Sequence, residues 1–357
     1  MKLATIIGAR PQFIKAAMLS REMRRSYNEI LVHTGQHYDY NMSEVFFNEL
    51  AIPTPDFNLG IRGGGHGKMT GEMLIALEEL FLTVQPDLVL VYGDTNSTLA
   101  GALAAVKLNI PVAHVEAGVR MNTLESPEEI NRILTDRIST LLLCCTEIAV
   151  DNLACEGITK NVFFTGDLMY DAVKHYQDKL ESLAIELHNL DGRFVPIPDE
   201  YYLLTCHRQE NTNTDEALNE IFTALNQLDA PTLYPVHPRN STRAIRLLEE
   251  YRYSKIRLVK PVGYLTSLKL IRNAKKIVTD SGGLQREAWF MDKQVVTIMD
   301  YVVWPETMGG NINQLSSPNA AQILLKLNTQ PDFTAKGSPF GNGDAAKKIV
   351  EAIKGLA

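Results

Sequence analysis

A chain of 357 residues, 45% hydrophobic and 22% charged with no low-complexity tract, is long enough for two domains with substantial cores. A formal net charge of −7 and the lack of a basic run argue against a general nucleic-acid binder. No apolar run approaches the roughly 20 residues of a membrane span, and the apolar stretch at Leu3–Ile7 is too short for a signal peptide.

The cysteines Cys144, Cys145, Cys155 and Cys206 show neither CxxC spacing nor a histidine at metal-ligand spacing. They read as free thiols of a cytoplasmic protein, with no metal and no insertion into a membrane.

Leu3–Ile7 reads as a strand running into Gly8-Ala9-Arg10-Pro11, after which Phe13, Ala16, Ala17 and Leu19 keep helical spacing. Strand, glycine turn and helix open a doubly wound α/β unit. Arg10 and Lys15 flank the turn and are candidates for an anion contact. Further strands are expected at Glu29–His33, Leu88–Tyr92 and Val112–Val115. Strands alternating with helices imply a parallel sheet, whose ligands bind beyond the carboxyl ends of the strands. Arg10, Gln36, His37, Asp94 and Glu116 fall there. The glycine-rich stretch Gly63–Gly71 is expected to be a mobile loop. Ser126 and Pro127 read as the cap and first position of a helix that carries Glu128 and Arg132 four apart, as an ion pair or as a carboxylate tuned by a guanidinium.

Asn161–Thr165 is a further strand, and the polar connection ending at Val195-Pro196-Ile197-Pro198 reads as the domain boundary. The pattern then restarts. Strands at Tyr201–Thr205 and Thr232–Pro235 end near His207-Arg208 and His237-Pro238-Arg239. A third strand at Ile256–Leu258 precedes Ile277–Thr279, which runs into Asp280-Ser281-Gly282-Gly283 and a helix over Leu284–Phe290. A glycine turn at a helix start offers free N–H groups to a phosphate, and Glu287 is placed to accept hydrogen bonds from a ribose. Asp280 or Ser281 also serves as an ordinary helix cap. The reading is therefore α/β, two doubly wound domains (1–170 and 200–340) facing a cleft with the ligand between them. A last helix within 341–357 is expected to pack back on the first domain.

The stretches GARPQFIK, TGQH, GDTNSTLAGALAA, HVEAG, SPEEINRILTDRIS, CHRQEN, YPVHPRN and TDSGGLQREA run nearly end to end. Together they resemble the non-hydrolysing UDP-N-acetylglucosamine 2-epimerase family. The resemblance implies a glycosyltransferase-B-like pair of Rossmann-like domains, a homodimer, a UDP-sugar substrate and no cofactor. It implies catalytic roles for Asp94, Glu116, Glu128 and His207. Arg10, Lys15, Arg132, His237, Ser281, Gly282, Gly283 and Glu287 are the implied substrate-binding residues. The implied reaction inverts C2 of a UDP-N-acetylhexosamine by elimination and re-addition of UDP, in the synthesis of cell-surface polysaccharide precursors.

One stretch departs from the family. Where it usually reads Arg-Asp-Thr-Thr-Glu-Arg-Pro-Glu, this chain has Met299-Asp300-Tyr301-Val302-Val303-Trp304-Pro305-Glu306. Trp304, with HGKMTG and GARPQFIK, resembles the branch acting on UDP-2,3-diacetamido-2,3-dideoxyglucuronate. Trp304 is expected to lay its ring on a sugar, and the loop to offer no cation to a uronate. A hydrolysing epimerase, a glycosyltransferase and a silent nucleotide-sugar sensor stay open as alternatives.

Overall fold

The computed structural model describes residues 1–36, 47 and 49–356. In the two large sheets the strands pair in parallel, and helices form most of the crossovers between them. β1 (Lys2–Ile7), β2 (Asn28–His33), β3 (Phe57–Asn58), β4 (Leu88–Tyr92), β5 (Val112–Val115), β6 (Leu141–Cys144) and β7 (Val162–Phe164) form one sheet in the order β3-β2-β1-β4-β5-β6-β7. Every residue of β4, β5 and β6 is buried, as expected of central strands covered on both faces. A two-residue-per-strand hairpin, β8 (Leu187–His188) with β9 (Phe194–Val195), follows. β10 (Tyr202–Thr205), β11 (Thr232–Pro235), β12 (Ile256–Val259), β13 (Ile277–Thr279), β14 (Val295–Ile298) and β15 (Asn313–Ser316) build the second sheet, in the order β12-β11-β10-β13-β14-β15.

Both sheets run third-second-first-fourth from one edge, so each reverses direction between its first and fourth strands. That reversal opens a crevice at the carboxyl ends, where α/β sheets bind ligands. In the first sheet it lies between β1 and β4, paired Leu3↔Leu88. In the second it lies between β10 and β13, paired Thr205↔Thr279.

The chain divides into one unit of Met1–Lys174 with Ser338–Ala357 and another of His175–Gly337. The division falls inside the helix Leu168–Ser182, ahead of the Val195–Pro198 connection. The last helix, Ala345–Lys354, packs against Arg10–Met23 within the first unit, and Ala345 and Ala346 donate backbone N–H groups to Asp171 at 3.1 and 2.8 Å.

Two local expectations change. Only the start of the Gly63–Gly71 stretch is loop, because the helix His66–Val84 begins inside it. Met73, Leu77 and Phe81, four apart, are buried against the sheet. That burial outweighs the roughly 1 kcal/mol each that Gly67 and Gly71 cost a helix. The strands β3, β6, β8, β9 and β15 are not expected from the sequence. β6 is an unbroken apolar run without alternation, and β15 (Asn-Gln-Leu-Ser) is too polar to read as a strand.

Candidate active site

In the first unit, the turn after β1 is closed by its own helix. Gly8 and Ala9 donate N–H groups to Gln12 Oε1 at 2.7 and 3.0 Å, and Gln12 Nε2 donates to Tyr92 O at 2.8 Å. A Cβ on Gly8 would lie 2.2 Å from Ser97 Oγ and 2.3 Å from Thr34 Oγ1, so the segments after β1, β2 and β4 meet only because residue 8 is glycine. The turn is thus a packing joint, and its donors are spent on the protein.

The cations and carboxylates gather instead around β5. Lys15 Nζ lies 2.5 Å from Glu116 Oε2, so the anion Lys15 meets is a side chain of the same unit. Arg132 Nη2 bridges Glu116 Oε1 at 3.1 Å and Asp94 Oδ2 at 2.6 Å. Lys15, Glu116 and Arg132 are buried, whereas the Asp94 side chain keeps 25% of its exposure. Burial works against charge on Arg132, but Asp94 and Glu116 outweigh it and raise its proton affinity. Glu116 sits at φ +68°, a left-handed conformation unusual for a side-chain-bearing residue. Such strain persists where surrounding structure over-determines it, and it recurs at functional sites. Asn131 adds a further brace, donating to Asp94 O at 2.8 Å.

Glu128 lies elsewhere. It is exposed at the helix start, and its carboxylate accepts from Ser126 Oγ at 2.7 Å. Among the described residues it forms no ion pair with Arg132, because Arg132 turns inward to the two carboxylates. Its neighbour Glu129, which the sequence did not single out, is buried and takes the N–H groups of Met121 and Asn122, both at 2.9 Å. Gln36 Oε1 accepts from Ser97 N at 3.1 Å and Ser97 Oγ at 2.7 Å at the start of the helix after β4, which Thr95 caps, while His37 lies outside the described residues. Arg10 occupies the first position of the helix after β1.

In the second unit, His207 and Asp280 meet where β10 and β13 end. His207 Nδ1 lies 3.1 Å from Asp280 Oδ1, and the backbone N–H groups of His207 and Arg208 donate to Asp280 Oδ2 at 2.9 and 2.8 Å. Asp280 is fully buried beneath an imidazole that is 46% exposed. Burial opposes ionisation of Asp280, but the His207 partner and the two N–H groups outweigh it and hold the carboxyl below the ordinary range. The sequence offers either Asp280 or Ser281 as the helix cap. The cap is in fact Ser281, whose side chain accepts from Leu284 N at 3.3 Å.

The helix Gly282–Phe290 follows, with Glu287 buried on it. Here the glycines leave room instead of filling a joint: a Cβ on Gly282 or Gly283 would meet nothing closer than 3.8 or 3.9 Å. A bare helix start of this kind suits an anion. His237 caps the helix Pro238–Glu250, its Nδ1 accepting from Arg239 N at 3.3 Å, and the Arg239 guanidinium donates to the His207 carbonyl.

The divergent loop corrects an expectation. Trp304 is buried with one face against the Arg286 guanidinium, 3.8 Å from the ring centroid, so that face is not offered to a sugar. Tyr301 likewise accepts from Arg208 through its hydroxyl, with the guanidinium 5.7 Å from the ring centroid. The loop carries no arginine of its own, yet its aromatics hold two arginines from neighbouring motifs.

The family model for UDP-N-acetylglucosamine 2-epimerase matches residues 21–354. The chain belongs to the UDP-N-acetylglucosamine 2-epimerase family. A UDP-N-acetylglucosamine 2-epimerase homolog of Methanococcus maripaludis is 47% identical over 364 residues, covering 100% of both chains. The UDP-2,3-diacetamido-2,3-dideoxy-D-glucuronate 2-epimerase of Pseudomonas aeruginosa is 43% identical over 366 residues, again covering 100% of each. The crystal structure of Methanocaldococcus jannaschii UDP-GlcNAc 2-epimerase in complex with UDP-GlcNAc and UDP shares 38% identity and a TM-score of 0.86 over 99% of each chain. The α/β fold with two Rossmann-like sheets is therefore the fold of this epimerase family, and the chain is an enzyme of it. No helix among the described residues is long and apolar enough to cross a membrane.

Proposed function

We propose that this enzyme inverts C2 of a UDP-N-acetylhexosamine without releasing free sugar, and that its two units divide the work. The observation that carries the reading is the buried Glu116 carboxylate, braced by Lys15 and joined to Asp94 through Arg132. A base removes the C2 proton, its electron pair forms the C1=C2 double bond, and the C1–O bond breaks with its electrons leaving on UDP. UDP then returns to C1 while a proton is delivered to the other face of C2. A proton that leaves one face and returns to the other needs two acid/base groups, and Asp94 and Glu116 are assigned that work. Glu128, exposed on the helix that carries Arg132, stays in the proposal as a further acid/base candidate. In the second unit, Ser281, Gly282 and Gly283 are assigned to the diphosphate and Glu287 to the ribose. The leaving group thereby stays bound between the two half-reactions. Arg10 and His237 are assigned to phosphate and substrate contacts, and His207, oriented by Asp280, to acid/base work.

A second substrate reading is favoured by one observation. Trp304 and Tyr301, in a loop without arginines of its own, hold Arg286 and Arg208 from neighbouring motifs, and a diacetamido-uronate carries a carboxylate that needs positive charge nearby. The 43% identical Pseudomonas aeruginosa relative, named for that sugar, supports it. The enzyme is further assigned to the cytoplasm, on UDP-sugars that feed polysaccharide synthesis, and to a homodimer. Ile75 and Leu82 on one helix and Ile130 and Leu134 on another are exposed and apolar, which supports a second copy. Light scattering of wild type and an Ile75→Glu, Leu82→Glu double variant tests that state.

The deciding experiment incubates the enzyme in deuterated water with UDP-N-acetylglucosamine and, in parallel, its 2,3-diacetamido-uronate counterpart, followed by NMR. Deuterium at C2 of both UDP-linked epimers supports the reaction, and the larger kcat/KM names the sugar. Free N-acetylmannosamine with UDP would make the enzyme a hydrolase, and no exchange on either sugar would remove the reaction.

A further inference from the structure

We infer that His114 is a positioning residue for the C2 chemistry, its imidazole pinning the two loops that carry Asp94 and Glu116. The inference rests on the assignment of that chemistry to these two carboxylates. His114 is the third residue of β5 and fully buried in a strand whose other three residues are apolar. A buried polar ring is tolerated only where its hydrogen bonds are met. Here both are: Nε2 lies 2.7 Å from the carbonyl of Gly93, and Nδ1 lies 2.7 Å from Asp136 Oδ1. Neither group belongs to the set proposed to touch substrate.

The partners matter because of their neighbours. Gly93 immediately precedes Asp94. Asp136, through its other oxygen, accepts the N–H of Gly118 at 3.1 Å, two residues beyond Glu116, and Arg120 Nη1 at 2.7 Å. One imidazole–carboxylate pair thus ties the root of the Asp94 loop to the root of the Glu116 loop. Arg132 lies one helical turn before Asp136 on the helix Pro127–Ile138 and grips the tips of the same two side chains. The helix therefore fixes each loop twice, at its base and at its functional end.

The conformation of these loops needs such a hold. Gly93 (φ +62°), Glu116 (φ +68°) and Gly118 (φ +77°) all lie in the left-handed region, and Glu116 alone among them bears a side chain. Gly118 has no slack, since a Cβ there would lie 2.2 Å from the carbonyl oxygen of Ala149. Released from the ring, Gly93 O loses its partner and the Asp94 loop is free to drift relative to Glu116. Misplacement of about 1 Å costs on the order of 10²-fold in rate.

The test compares His114→Asn with His114→Gln. The asparagine amide keeps a donor to Asp136 but does not reach Gly93, whereas the longer glutamine amide reaches Gly93. His114→Asn is expected to lower kcat and the C2 deuterium exchange rate about 10–10²-fold, with UDP Kd within about twofold of wild type. His114→Gln is expected to recover a substantial part of both rates. Rates are taken per folded molecule, below each variant's melting temperature. If His114→Asn fails to fold, Asp136→Asn serves instead, since it weakens the ring's anchor while keeping an oxygen for Gly118 N. The inference is overturned if the folded variant turns over within about twofold of wild type, or if the glutamine variant is no faster than the asparagine one. Absence of exchange in the wild type itself would instead sink the function reading, and this inference with it.

Discussion

The two units share a strand order and a switch point, yet they spend those positions on opposite ends. In the first, the glycine turn after β1 is packed shut by Ser97, Thr34 and Gln12, and the charge at the crevice is buried and internally paired. In the second, the glycine turn after β13 is left open, and its titratable group, His207, is 46% exposed above a buried aspartate. The topology supplies the place, and the side chains decide whether it holds a ligand or does chemistry on one. A closed, braced cluster suits proton transfer, which depends on fixed geometry. An open helix start suits binding.

The largest expected effect comes from breaking the brace. Arg132→Met leaves Asp94 and Glu116 without their shared cation in a buried setting and should cost about 3–5 kcal/mol of stability. Urea unfolding of the variant measures it, and a loss under about 1 kcal/mol would mean the cluster is more hydrated than its burial indicates.

The two glycine turns give a paired test of intermediate size. Gly8→Ala should destabilise by about 1–3 kcal/mol, because its Cβ lands on Ser97 and Thr34. Gly283→Ala should leave stability unchanged, since nothing lies within 3.8 Å of its Cβ, while weakening UDP about tenfold by calorimetry. Equal behaviour of the two variants would erase the distinction between packed and open turns.

Smaller effects should follow pH. Asp136 in the first unit and Asp280 in the second are both held below the ordinary carboxyl range; burial opposes that shift, and the partners His114 with Arg120, and His207 with backbone N–H groups, outweigh burial. A depressed folded pKa gives stability that is complete above the unfolded value of about 4 and is lost as pH falls through the folded value. Asp136→Asn and Asp280→Asn should therefore be less stable than wild type at pH 7, with the gap narrowing below pH 4 in thermal melts. A constant gap would show that neither charge matters. The smallest effect is assigned to Trp304→Leu, which removes the face under Arg286. A few-fold loss of kcat/KM on the diacetamido-uronate, with UDP-N-acetylglucosamine unaffected, is expected from paired assays.

Much of this was legible along the chain. Val112–Val115 starts and ends on valine, Ile277–Thr279 is β-branched throughout, and both form strands at those limits. Their ends put Glu116 and Ser281 beyond the carboxyl ends of the two sheets. The partners were not legible. Glu128 and Arg132 are four apart, but Arg132 turns to carboxylates 16 and 38 residues away in sequence, because a buried guanidinium seeks two anions over one exposed one. His114 within an apolar strand, and Asp280 before a good cap, carry no local sign of what they hold. Their meaning comes from which loops the fold brings beside them. Trp304 in the divergent loop reads as sugar-facing from sequence because the arginine it covers belongs to another motif.

The most direct measurement of the proposed division of labour sets turnover against UDP affinity in one variant, Glu116→Gln. The substitution keeps the shape of the side chain and removes its charge and its proton-transfer capacity. Turnover should fall about 10²–10⁴-fold while UDP Kd from calorimetry stays within about twofold of wild type. A variant that turns over at near wild-type rate, or that loses UDP affinity as steeply as turnover, would contradict the assignment of the first unit to chemistry and the second to UDP.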